Sequence, residues 1–346
     1  MNKKIRIAIN GFGRIGRLFL RAVYDNPNFE IVAINDLGSV GNLAYLLQYD
    51  SVYRLFNHKV EAKVDMSGGG LLLIDGKEIK FFQIKDPTDL PWKSLDIDVV
   101  VESTGVFESF QKAKVHISAG AKRVVITAPA KDPEGEGRTV LSGINEEDAK
   151  DVLVTSNGSC TTNSASPVIQ ILSENPGIEK AILSTIHSYT ATQSIVDGPV
   201  KGEDFARGRA AAINIVPSTT GAAIAVTRAI SSLQSKFDGI AIRVPSVVGS
   251  ISDITFISKR PTSVQEINDI LISAAKTPRW SGILKTVDDQ IVSSDIIGQS
   301  YGAIVDLRFT KVIDGNLVKV LSWYDNEWGY VSTLVKHIEN IAKYLA

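Results

Sequence analysis

Short apolar runs alternate with a helical pattern over the first part of the chain. Ile5–Ile9, Ile31–Asn35 and Val99–Glu102 are brief and mostly β-branched, which is typical of buried parallel strands. Between the first two runs, apolar residues recur at helical spacing over residues 15–23. This strand–helix–strand order predicts a doubly wound α/β sheet. Asp75-Gly76, placed between two apolar runs, predicts a β-hairpin in the same region.

The pattern changes beyond residue 160, where longer runs of strand-forming residues are separated by a few helical stretches. Asp314-Gly315 joins the last two runs as a hairpin, so at least part of this second sheet is antiparallel. We therefore predict a second domain of the α+β class. The predicted strands are Ala181–Ile186, Gly239–Val244, Asp253–Ser258, Ala303–Phe309 and Leu317–Trp323. The predicted helices are Thr161–Ser173, Ser218–Leu233, Ser263–Ala275 and a closing helix over Trp328–Leu345.

Composition narrows the class of protein. The chain has 346 residues, of which 44% are hydrophobic, as in a globular protein of about two domains. One cysteine cannot form an internal disulfide, so a reducing compartment, the cytoplasm, is expected. A net charge of −1 gives no global attraction to nucleic acid or to anionic lipid. No apolar run is long enough to span a bilayer, so no membrane partner is expected.

A glycine-rich segment, Gly11-Phe12-Gly13-Arg14-Ile15-Gly16, directly follows the first predicted strand and opens the first helix. In that context it predicts a dinucleotide-binding turn whose helix N-terminus faces the phosphates. Asp36 lies about 20 residues beyond Gly16, where a carboxylate accepts hydrogen bonds from the adenosine ribose hydroxyls and repels a 2′-phosphate. NAD is therefore expected rather than NADP. The alternative is a plain glycine turn followed by a helix-capping aspartate.

Ser103-Thr104-Gly105 follows another predicted strand of this sheet. Ligands of open α/β sheets lie at the carboxyl ends of the strands, so this segment is a candidate cofactor contact. Taken alone, it can equally be an ordinary turn.

Cys160 lies in a polar segment, between a predicted strand over Asp151–Thr155 and a predicted helix that begins at Thr161. A thiol in the first turn of a helix is next to unpaired backbone N–H groups, which favour the reactive thiolate. The alternative is a small buried hydrophobe, the commoner role of a free cysteine. The Ser, Thr and Asn residues on both sides favour the nucleophile.

Four histidines are candidates for a partner base. His187 ends a predicted strand in the region that Cys160 opens, so it is the best candidate. His58, His116 and His337 are predicted to be exposed, because they lie in charged or helical surroundings. A lone histidine is more often structural than catalytic, and this alternative remains open for His187.

Anion-binding residues follow His187 along the chain. Lys201, Arg207 and Arg209 lie in a predicted long loop, and Arg243 ends a predicted strand. Thr219-Thr220-Gly221 leads into a predicted helix and offers a phosphate cradle. Each arginine alone is more simply a solvated charge, but together they indicate a phosphorylated substrate. No metal site is expected, since there is no second cysteine and no histidine pair at ligand spacing.

Eight segments occur in an order that resembles phosphorylating glyceraldehyde-3-phosphate dehydrogenases of the NAD-dependent type, nearly from end to end. These segments are Asn10–Arg17, Asn35-Asp36, Ser103–Gly105, Ser159–Asn163, His187–Thr190, Arg207–Ala212, Pro217–Ala223 and Ser322–Tyr330. The resemblance implies a Rossmann-like NAD-binding domain over 1–159, completed by a C-terminal helix over 327–346. It implies a catalytic domain over 160–326.

The resemblance also implies the reaction and its residues. Cys160 would attack D-glyceraldehyde 3-phosphate, His187 would act as base, and inorganic phosphate would release 1,3-bisphosphoglycerate from a thioester. A loop over about 195–217 would line a neighbouring subunit's cofactor site in a homotetramer. The implied cofactor contacts are Gly11, Phe12, Gly13, Arg14, Ile15, Gly16, Asp36, Ser103, Thr104, Gly105, Thr127, Asn326 and Tyr330. The implied substrate and phosphate contacts are Ser159, Thr161, Thr190, Arg207, Thr220, Gly221 and Arg243.

The chain departs from the family pattern in several places. Ser164 replaces a common second cysteine and Gly158 a common alanine, while Ile224 and Ile213 replace polar residues. Two alternatives to the main hypothesis remain at this point. One is an erythrose-4-phosphate dehydrogenase of the same fold, and the other is a catalytically silent homologue that binds nucleotide or RNA.

Overall fold

The computed structural model describes residues 4–65, 69–200 and 202–345. Lys201, one of the candidate anion-binding residues, lies outside this description. The chain divides into two compact units over the described ranges. The first comprises Met1–Val140, Asn145–Gly158 and Leu334–Ala346, and the second comprises Leu141–Ile144 and Ser159–Thr333.

The first unit contains a mixed sheet whose parallel part carries the glycine-rich turn. Its strands are β1 (Ile5–Asn10), β2 (Phe29–Asn35), β5 (Val60–Val64), β6 (Gly70–Ile74), β7 (Lys77–Phe82), β8 (Val99–Glu102), β9 (Arg123–Ile126), β10 (Gly137–Thr139) and β11 (Val154–Ser156). A separate small ladder joins β3 (Tyr49–Asp50) and β4 (Arg54–Leu55). The helices are α1 (Arg14–Val23), α2 (Val40–Gln48), α3 (Phe110–Ala113) and α4 (Val115–Ser118).

Strand order explains where a ligand can bind in this unit. The order is β10-β11-β9-β8-β1-β2-β7-β6-β5, and the strands from β10 to β7 are parallel to their neighbours. The connections from β1 run in opposite directions to β2 and β8, which opens a crevice at the carboxyl end of β1. The Asp75-Gly76 turn joins β6 and β7 with positive φ at both residues, as the sequence predicts.

The second unit contains a largely antiparallel sheet, in the order β13-β14-β12-β15-β18-β17-β16. Its strands are β12 (Ile178–Ser188), β13 (Val216–Thr219), β14 (Phe237–Val244), β15 (Ser250–Ser258), β16 (Leu284–Val287), β17 (Ala303–Ile313) and β18 (Leu317–Tyr324). Its helices are α5 (Cys160–Glu174), α6 (Ala222–Ala229) and α7 (Val264–Ala275). The last helix, α8 (Trp328–Ala342), is divided between the residue ranges of the two units.

Burial explains the arrangement of the second unit. Apolar residues of α5, including Val168, Ile169 and Leu172, are fully buried in one cluster with Leu183 of β12 and Ile254 of β15. Removing such side chains from water contributes about 1.5–3 kcal/mol each. The apolar face of α5 therefore holds the helix against the sheet, and with it the position of its first residue, Cys160.

Several predicted bounds differ from the observed ones by a few residues at one end or the other. Ser218 and Thr219, predicted as helix, belong to the edge strand β13, and α6 begins only at Ala222. The strand predicted over Asp151–Thr155 is shorter, because Asp151 ends a 3₁₀ turn and β11 begins at Val154. In both cases the apolar pattern is correct, and the β-ladder decides where the element begins.

Candidate active site

Two glycines of the first turn are required by close backbone contacts. Gly11 has φ of +93°, and a Cβ there would lie 2.6 Å from the Ser103 carbonyl carbon. A Cβ at Gly16 would lie 2.2 Å from the Gly11 carbonyl oxygen. Gly13 differs, because a Cβ there would meet no described atom within 4 Å beyond its chain neighbours. Gly13 caps α1, so an open path leads to the N–H groups of that helix start.

Asp36 lies at the end of β2 and is held by backbone donors. Its carboxylate accepts hydrogen bonds from the N–H of Phe12 at 2.6 Å and from that of Gly38 at 2.8 Å. Each oxygen can accept a further bond, because a carboxylate offers about four lone-pair sites. The side chain is therefore oriented at the wall of the crevice and can still receive ribose hydroxyls.

The crevice has a volume of about 510 Å³. Predicted cofactor residues contribute part of its wall, and residues outside the predicted cofactor contacts, most of them apolar, contribute the rest. The predicted residues that line it are Gly11, Gly13, Asp36, Ser103 and Thr104, and the additional ones are Asn10, Asn35, Leu37, Ile84, Lys85, Pro87, Val106 and Phe107. An open backbone cradle beside an apolar wall fits a dinucleotide.

Other predicted cofactor residues of this unit do not line the crevice. Phe12 is fully buried, and Arg14 directs its guanidinium to Asp50. Ile15 and Gly16 belong to α1, and Gly105 follows Thr104 in a turn with φ of +70°. The Thr127 hydroxyl donates to the Glu102 carbonyl oxygen at 3.0 Å. These residues shape the backbone around the crevice.

A buried polar network lies behind the crevice, and it corrects the prediction that His116 is exposed. His116 has no exposed surface, and its Nε2 lies 2.9 Å from Glu102 Oε2. Trp92 Nε1–H donates to His116 Nδ1 at 3.1 Å, so the ring proton is on Nε2 and points to the carboxylate. Glu102 also accepts from Asn10 Nδ2 at 2.6 Å and from Thr104 N at 2.9 Å. The network thereby orients two residues of the crevice wall.

His337 is likewise buried, which corrects the second surface prediction. Its Nδ1 lies 3.1 Å from the Val140 carbonyl oxygen, and its Nε2 lies 2.7 Å from the Thr155 hydroxyl. Burial lowers the pKa of His337 to about 4. This histidine is a structural residue of the first unit. His58, by contrast, is only half-buried at the surface.

Cys160 is the first residue of α5, one residue before the predicted helix start at Thr161, so it lies in the first turn as predicted. Ser159 is the N-cap, and its hydroxyl accepts a hydrogen bond from the Thr162 N–H at 3.0 Å. The Thr162 hydroxyl accepts a hydrogen bond from the Ser159 N–H at 3.1 Å. This capping box fixes the backbone around the thiol. Cys160 Sγ lies 3.3 Å from His187 Nε2, and Cys160 remains partly exposed. The two candidate catalytic side chains are therefore in direct contact.

The hydrogen bonds of His187 decide which ring nitrogen faces the sulfur as a base. Its Nδ1 lies 2.6 Å from the Ser188 carbonyl oxygen and 2.8 Å from Arg243 Nη1. The Ser188 carbonyl can only accept and the Arg243 guanidinium can only donate, so the two contacts favour opposite tautomers of the ring. The shorter contact, to Ser188, favours the proton on Nδ1. The lone pair of Nε2 then faces the thiol. Arg243 also reaches the Ser188 carbonyl, at 3.3 Å, and can donate there.

Burial favours the neutral form of both side chains of the pair. Burial raises the pKa of the Cys160 thiol, although Arg243 and the N–H and hydroxyl of Thr161 oppose that rise. Burial and the Arg243 charge lower the pKa of His187 to about 3. Burial therefore opposes the effect of the helix start on the thiol pKa, a contribution that the prediction from the sequence did not include. A neutral imidazole is, however, the form that can accept the thiol proton.

Several of the predicted phosphate residues fall into two groups, one that contains Arg243 and one that contains Arg207. Arg243 lies beside the catalytic pair, and Thr161 is buried next to Cys160. Arg207 donates to the Ser218 hydroxyl at 2.9 Å and to the Thr192 hydroxyl at 3.5 Å. The Thr192 hydroxyl in turn lies 3.0 Å from the Thr190 hydroxyl. Arg207 also pairs with Asp204 at 3.0 Å, so part of its charge is already compensated.

Other predicted phosphate residues lie at helix starts. Gly221 is the N-cap of α6, and the Thr220 hydroxyl accepts from the Ala222 N–H at 3.2 Å. Ser159 is the N-cap residue of α5. Arg209, which the sequence argument grouped with them, instead forms an exposed ion pair with Asp197 at 2.7 Å.

The second unit also holds the two remaining predicted cofactor residues. Asn326 Oδ1 accepts from the Gly249 N–H at 3.1 Å and from the Ser250 hydroxyl at 3.0 Å. These bonds identify the oxygen of the amide and leave its NH₂ group as the donor end. Tyr330 is buried in the first turn of α8.

The departures from the family pattern have partial explanations. Gly158 has φ of +63°, a left-handed conformation that favours glycine over alanine. Ser164 is buried, and its hydroxyl donates to that of Ser322 at 3.2 Å. Ile224 and Ile213 are exposed by 59% and 80%, and nothing in the structure explains them.

Metal-ligand clusters and membrane-spanning helices are both absent from the described residues. Within those ranges, no group of three or more His, Cys, Asp or Glu side chains is arranged to hold a metal ion. No helix in the same part of the chain combines the length and apolar character needed to cross a membrane.

A dinucleotide crevice in a doubly wound sheet and a cysteine–histidine pair in a second unit define an NAD-dependent oxidoreductase. Comparison with known proteins agrees with this class. The family models "Glyceraldehyde 3-phosphate dehydrogenase, NAD binding domain" and "C-terminal domain" match residues 5–110 and 159–326. The chain belongs to the glyceraldehyde 3-phosphate dehydrogenase family.

Curated relatives extend over nearly the whole chain. The glyceraldehyde-3-phosphate dehydrogenase of Thermotoga maritima is 50% identical over 98% of this chain and 99% of its own length. Those of Clostridium pasteurianum and Borreliella burgdorferi are each 44% identical over 98% of this chain and cover 98% and 100% of their own lengths. The predicted family, fold class, enzyme class and NAD cofactor are thus confirmed, and the erythrose-4-phosphate alternative is not favoured.

Proposed function

We propose that this enzyme oxidises D-glyceraldehyde 3-phosphate with NAD and inorganic phosphate to 1,3-bisphosphoglycerate, the glycolytic reaction, with Cys160 and His187 as catalytic residues. The observation that supports this most directly is the 3.3 Å contact between Cys160 Sγ and His187 Nε2 at the start of α5. Arg243 beside the pair supplies a charge suited to an anionic substrate.

In the first step, the sulfur attacks the aldehyde carbon. The Cys160 thiol transfers its proton to Nε2 of His187, and a C–S bond forms as the carbonyl π bond breaks. The imidazolium then returns the proton to the new oxygen, which gives a thiohemiacetal. The neutral state of the His187 ring is the state that this transfer requires, and a positioned base contributes about 100- to 10,000-fold in rate.

In the second step, His187 again removes the hydroxyl proton while the C–H bond breaks and the carbon becomes a thioester. Bound NAD supplies the hydride acceptor for this oxidation. The residues proposed to hold NAD are the glycine turn from Gly11 to Gly16 and Asp36, Ser103, Thr104, Gly105, Thr127, Asn326 and Tyr330. Asn326 would donate from its NH₂ group, since its oxygen is already occupied.

In the third step, inorganic phosphate attacks the thioester carbon and the Cys160 thiolate leaves. An acyl phosphate forms, and His187 reprotonates the sulfur. Arg243, Thr161, Thr190 and Arg207 are proposed to bind the two phosphate groups, with Ser159, Thr220 and Gly221 contributing at helix starts. Arg243 is suited to this task because its guanidinium carries a positive charge and lies 2.8 Å from His187 Nδ1.

We further propose a cytoplasmic homotetramer in which the loop over about 195–217 contacts a neighbouring subunit. The loop exposes large apolar side chains, including Ile195, Phe205 and Ile213 at 84%, 75% and 80% exposure. Such exposure favours an interaction with another protein surface. Sedimentation analysis should give four chains, and a monomer would contradict the proposal. We retain 1–159 with 327–346, and 160–326, as the proposed functional domains.

Steady-state NADH formation tests the reaction. The rate with glyceraldehyde 3-phosphate should depend on inorganic phosphate, and Cys160→Ser should abolish turnover while NAD affinity stays unchanged. His58→Gln provides a control, because His58 lies at the surface of the first unit. Turnover near wild type in Cys160→Ser would refute the thiol mechanism. Equal rates without phosphate, or a preference for erythrose 4-phosphate, would refute the proposed substrate reaction.

A further inference from the structure

A buried tyrosine hydroxyl connects the two elements that carry the catalytic pair. Tyr324, the last residue of β18, is 1% exposed. Its hydroxyl lies 2.8 Å from Thr161 Oγ1 and 2.7 Å from Thr185 Oγ1. Thr161 follows Cys160 in the first turn of α5, and Thr185 lies two residues before His187 on the same face of β12.

The three hydroxyls can satisfy their hydrogen bonds in two ways. In one orientation, Thr161 donates to Tyr324, Tyr324 donates to Thr185, and Thr185 donates to the Ile251 carbonyl at 3.3 Å. In the other orientation, Tyr324 donates to Thr161, and the Thr161 hydroxyl is free to donate to the neighbouring sulfur. Every hydroxyl has an acceptor in both orientations, so this series of hydrogen bonds can change from one orientation to the other at little cost in free energy.

The second orientation matches what an ionised thiol needs. The Thr161 N–H and hydroxyl both favour the ionised form of Cys160. Three other titratable or charged groups surround the sulfur. His187 faces it from β12, Arg243 from β14 and Tyr324 from β18, and the Tyr324 ring meets that of His187 edge-on at 6.0 Å.

We propose that Tyr324 is a positioning residue whose hydroxyl turns toward Thr161 when Cys160 ionises, so that Thr161 donates a hydrogen bond to the sulfur. The inference rests on the proposed role of Cys160 as nucleophile. Tyr324 acts through Thr161 and does not touch the reacting atoms. Its tightly packed ring holds the hydroxyl in place for either orientation.

Alkylation by iodoacetamide tests the proposal, because the chain contains one cysteine and the reaction reports on Cys160 alone. The rate is measured against pH for wild type, Tyr324→Phe and a control, Tyr24→Phe. The control removes a tyrosine hydroxyl that donates to the Ile74 carbonyl at 2.8 Å in the other unit. Tyr324→Phe removes the acceptor that competes with the sulfur for the Thr161 proton, so the pH midpoint should move down by about half a unit, a roughly threefold gain of thiolate. Thr161→Val removes the donor itself and should raise the midpoint by about half a unit to one unit.

Thr185→Val makes the test sharper, because it removes the competing acceptor of the Tyr324 proton. Only the second orientation then remains, so the midpoint should move down, while Thr185→Ser should leave it unchanged. A downward shift in Tyr324→Phe and Thr185→Val, together with an upward shift in Thr161→Val, separates an orienting role from a merely structural one. Should Tyr324→Phe fail to fold, the Thr185 pair decides the question alone.

A midpoint that stays in place in Tyr324→Phe would overturn the proposal, even if the limiting rate at high pH fell. An upward shift in Tyr324→Phe, or no shift in Thr185→Val, would also overturn it. These outcomes are distinct from failure of the proposed function. Full turnover in Cys160→Ser would refute that function, whereas the alkylation profiles need neither substrate nor NAD.

Discussion

One added methyl group at each of two glycines should separate folding of the glycine turn from cofactor binding. In Gly16→Ala, the new Cβ would lie 2.2 Å from the Gly11 carbonyl oxygen, whereas ordinary contacts begin at 3.4 Å. The obstacle is backbone, so α1 must move away from the turn by about 1 Å. Overpacking of this kind costs about 1–3 kcal/mol, and alanine recovers only about 1 kcal/mol of helix propensity. We expect a net loss of stability.

Gly13→Ala is the matched variant. Its Cβ would meet no described atom within 4 Å beyond the chain neighbours, and Gly13 has φ of −70°, which alanine adopts readily. Stability should change by less than about 1 kcal/mol. The methyl group would, however, occupy the open path to the helix N–H groups, so NAD affinity should fall at least about tenfold.

Thermal unfolding and calorimetric NAD titration measure both effects. Gly16→Ala should unfold at a lower temperature, by roughly 2–4 °C for each kcal/mol lost. Gly13→Ala should unfold near the wild-type temperature and bind NAD poorly. A stable Gly13→Ala protein with wild-type NAD affinity would show that the pyrophosphate does not approach this cradle, and the reasoning about the crevice would be refuted.

Two further predictions concern the first unit. His58 lies 2.6 Å from Asp75 and 3.0 Å from Asp25. Burial lowers the pKa of His58, but the two carboxylates have the larger combined effect, so the pKa is raised. The stabilisation from these two ion pairs is complete below the pKa of His58 in the unfolded chain, and it disappears as pH rises through the pKa in the folded protein. His58→Gln should therefore lower Tm more at pH 5.5 than at pH 8.5. An equal loss of Tm at both pH values would contradict the raised pKa of His58. Arg123 donates to three carbonyl oxygens from a buried position. Arg123→Met should therefore lower the free energy of unfolding by roughly 3 kcal/mol, as measured by urea titration. An unchanged midpoint of urea unfolding would contradict this prediction.

Local patterns predicted the elements that position the site. Period and turn chemistry identified β1, α1, the Asp75-Gly76 hairpin and the start of α5, because each depends on neighbouring residues. The Cys160–His187 contact was a hypothesis from residue type alone, and only the packing of α5 against the sheet brings the two side chains together.

Long-range partners account for what the sequence argument missed. His116 and His337 are buried because Trp92 and Thr155, distant in sequence, supply hydrogen bonds that no local pattern shows. Burial of Cys160, which raises the pKa of its thiol, likewise depends on packing that no local pattern shows. Tyr324 lies in a segment used for the family resemblance, yet its role depends on hydroxyls from two other elements.

The central claim is that Cys160 carries the acyl group as a thioester. The direct measurement is mass spectrometry of enzyme that is mixed with glyceraldehyde 3-phosphate and NAD in the absence of inorganic phosphate, then quenched in acid and digested. The peptide containing Cys160 should gain the mass of a phosphoglyceroyl group, and added phosphate should remove it. An unmodified Cys160 peptide under conditions that form NADH, or a modification on another residue, would contradict the account.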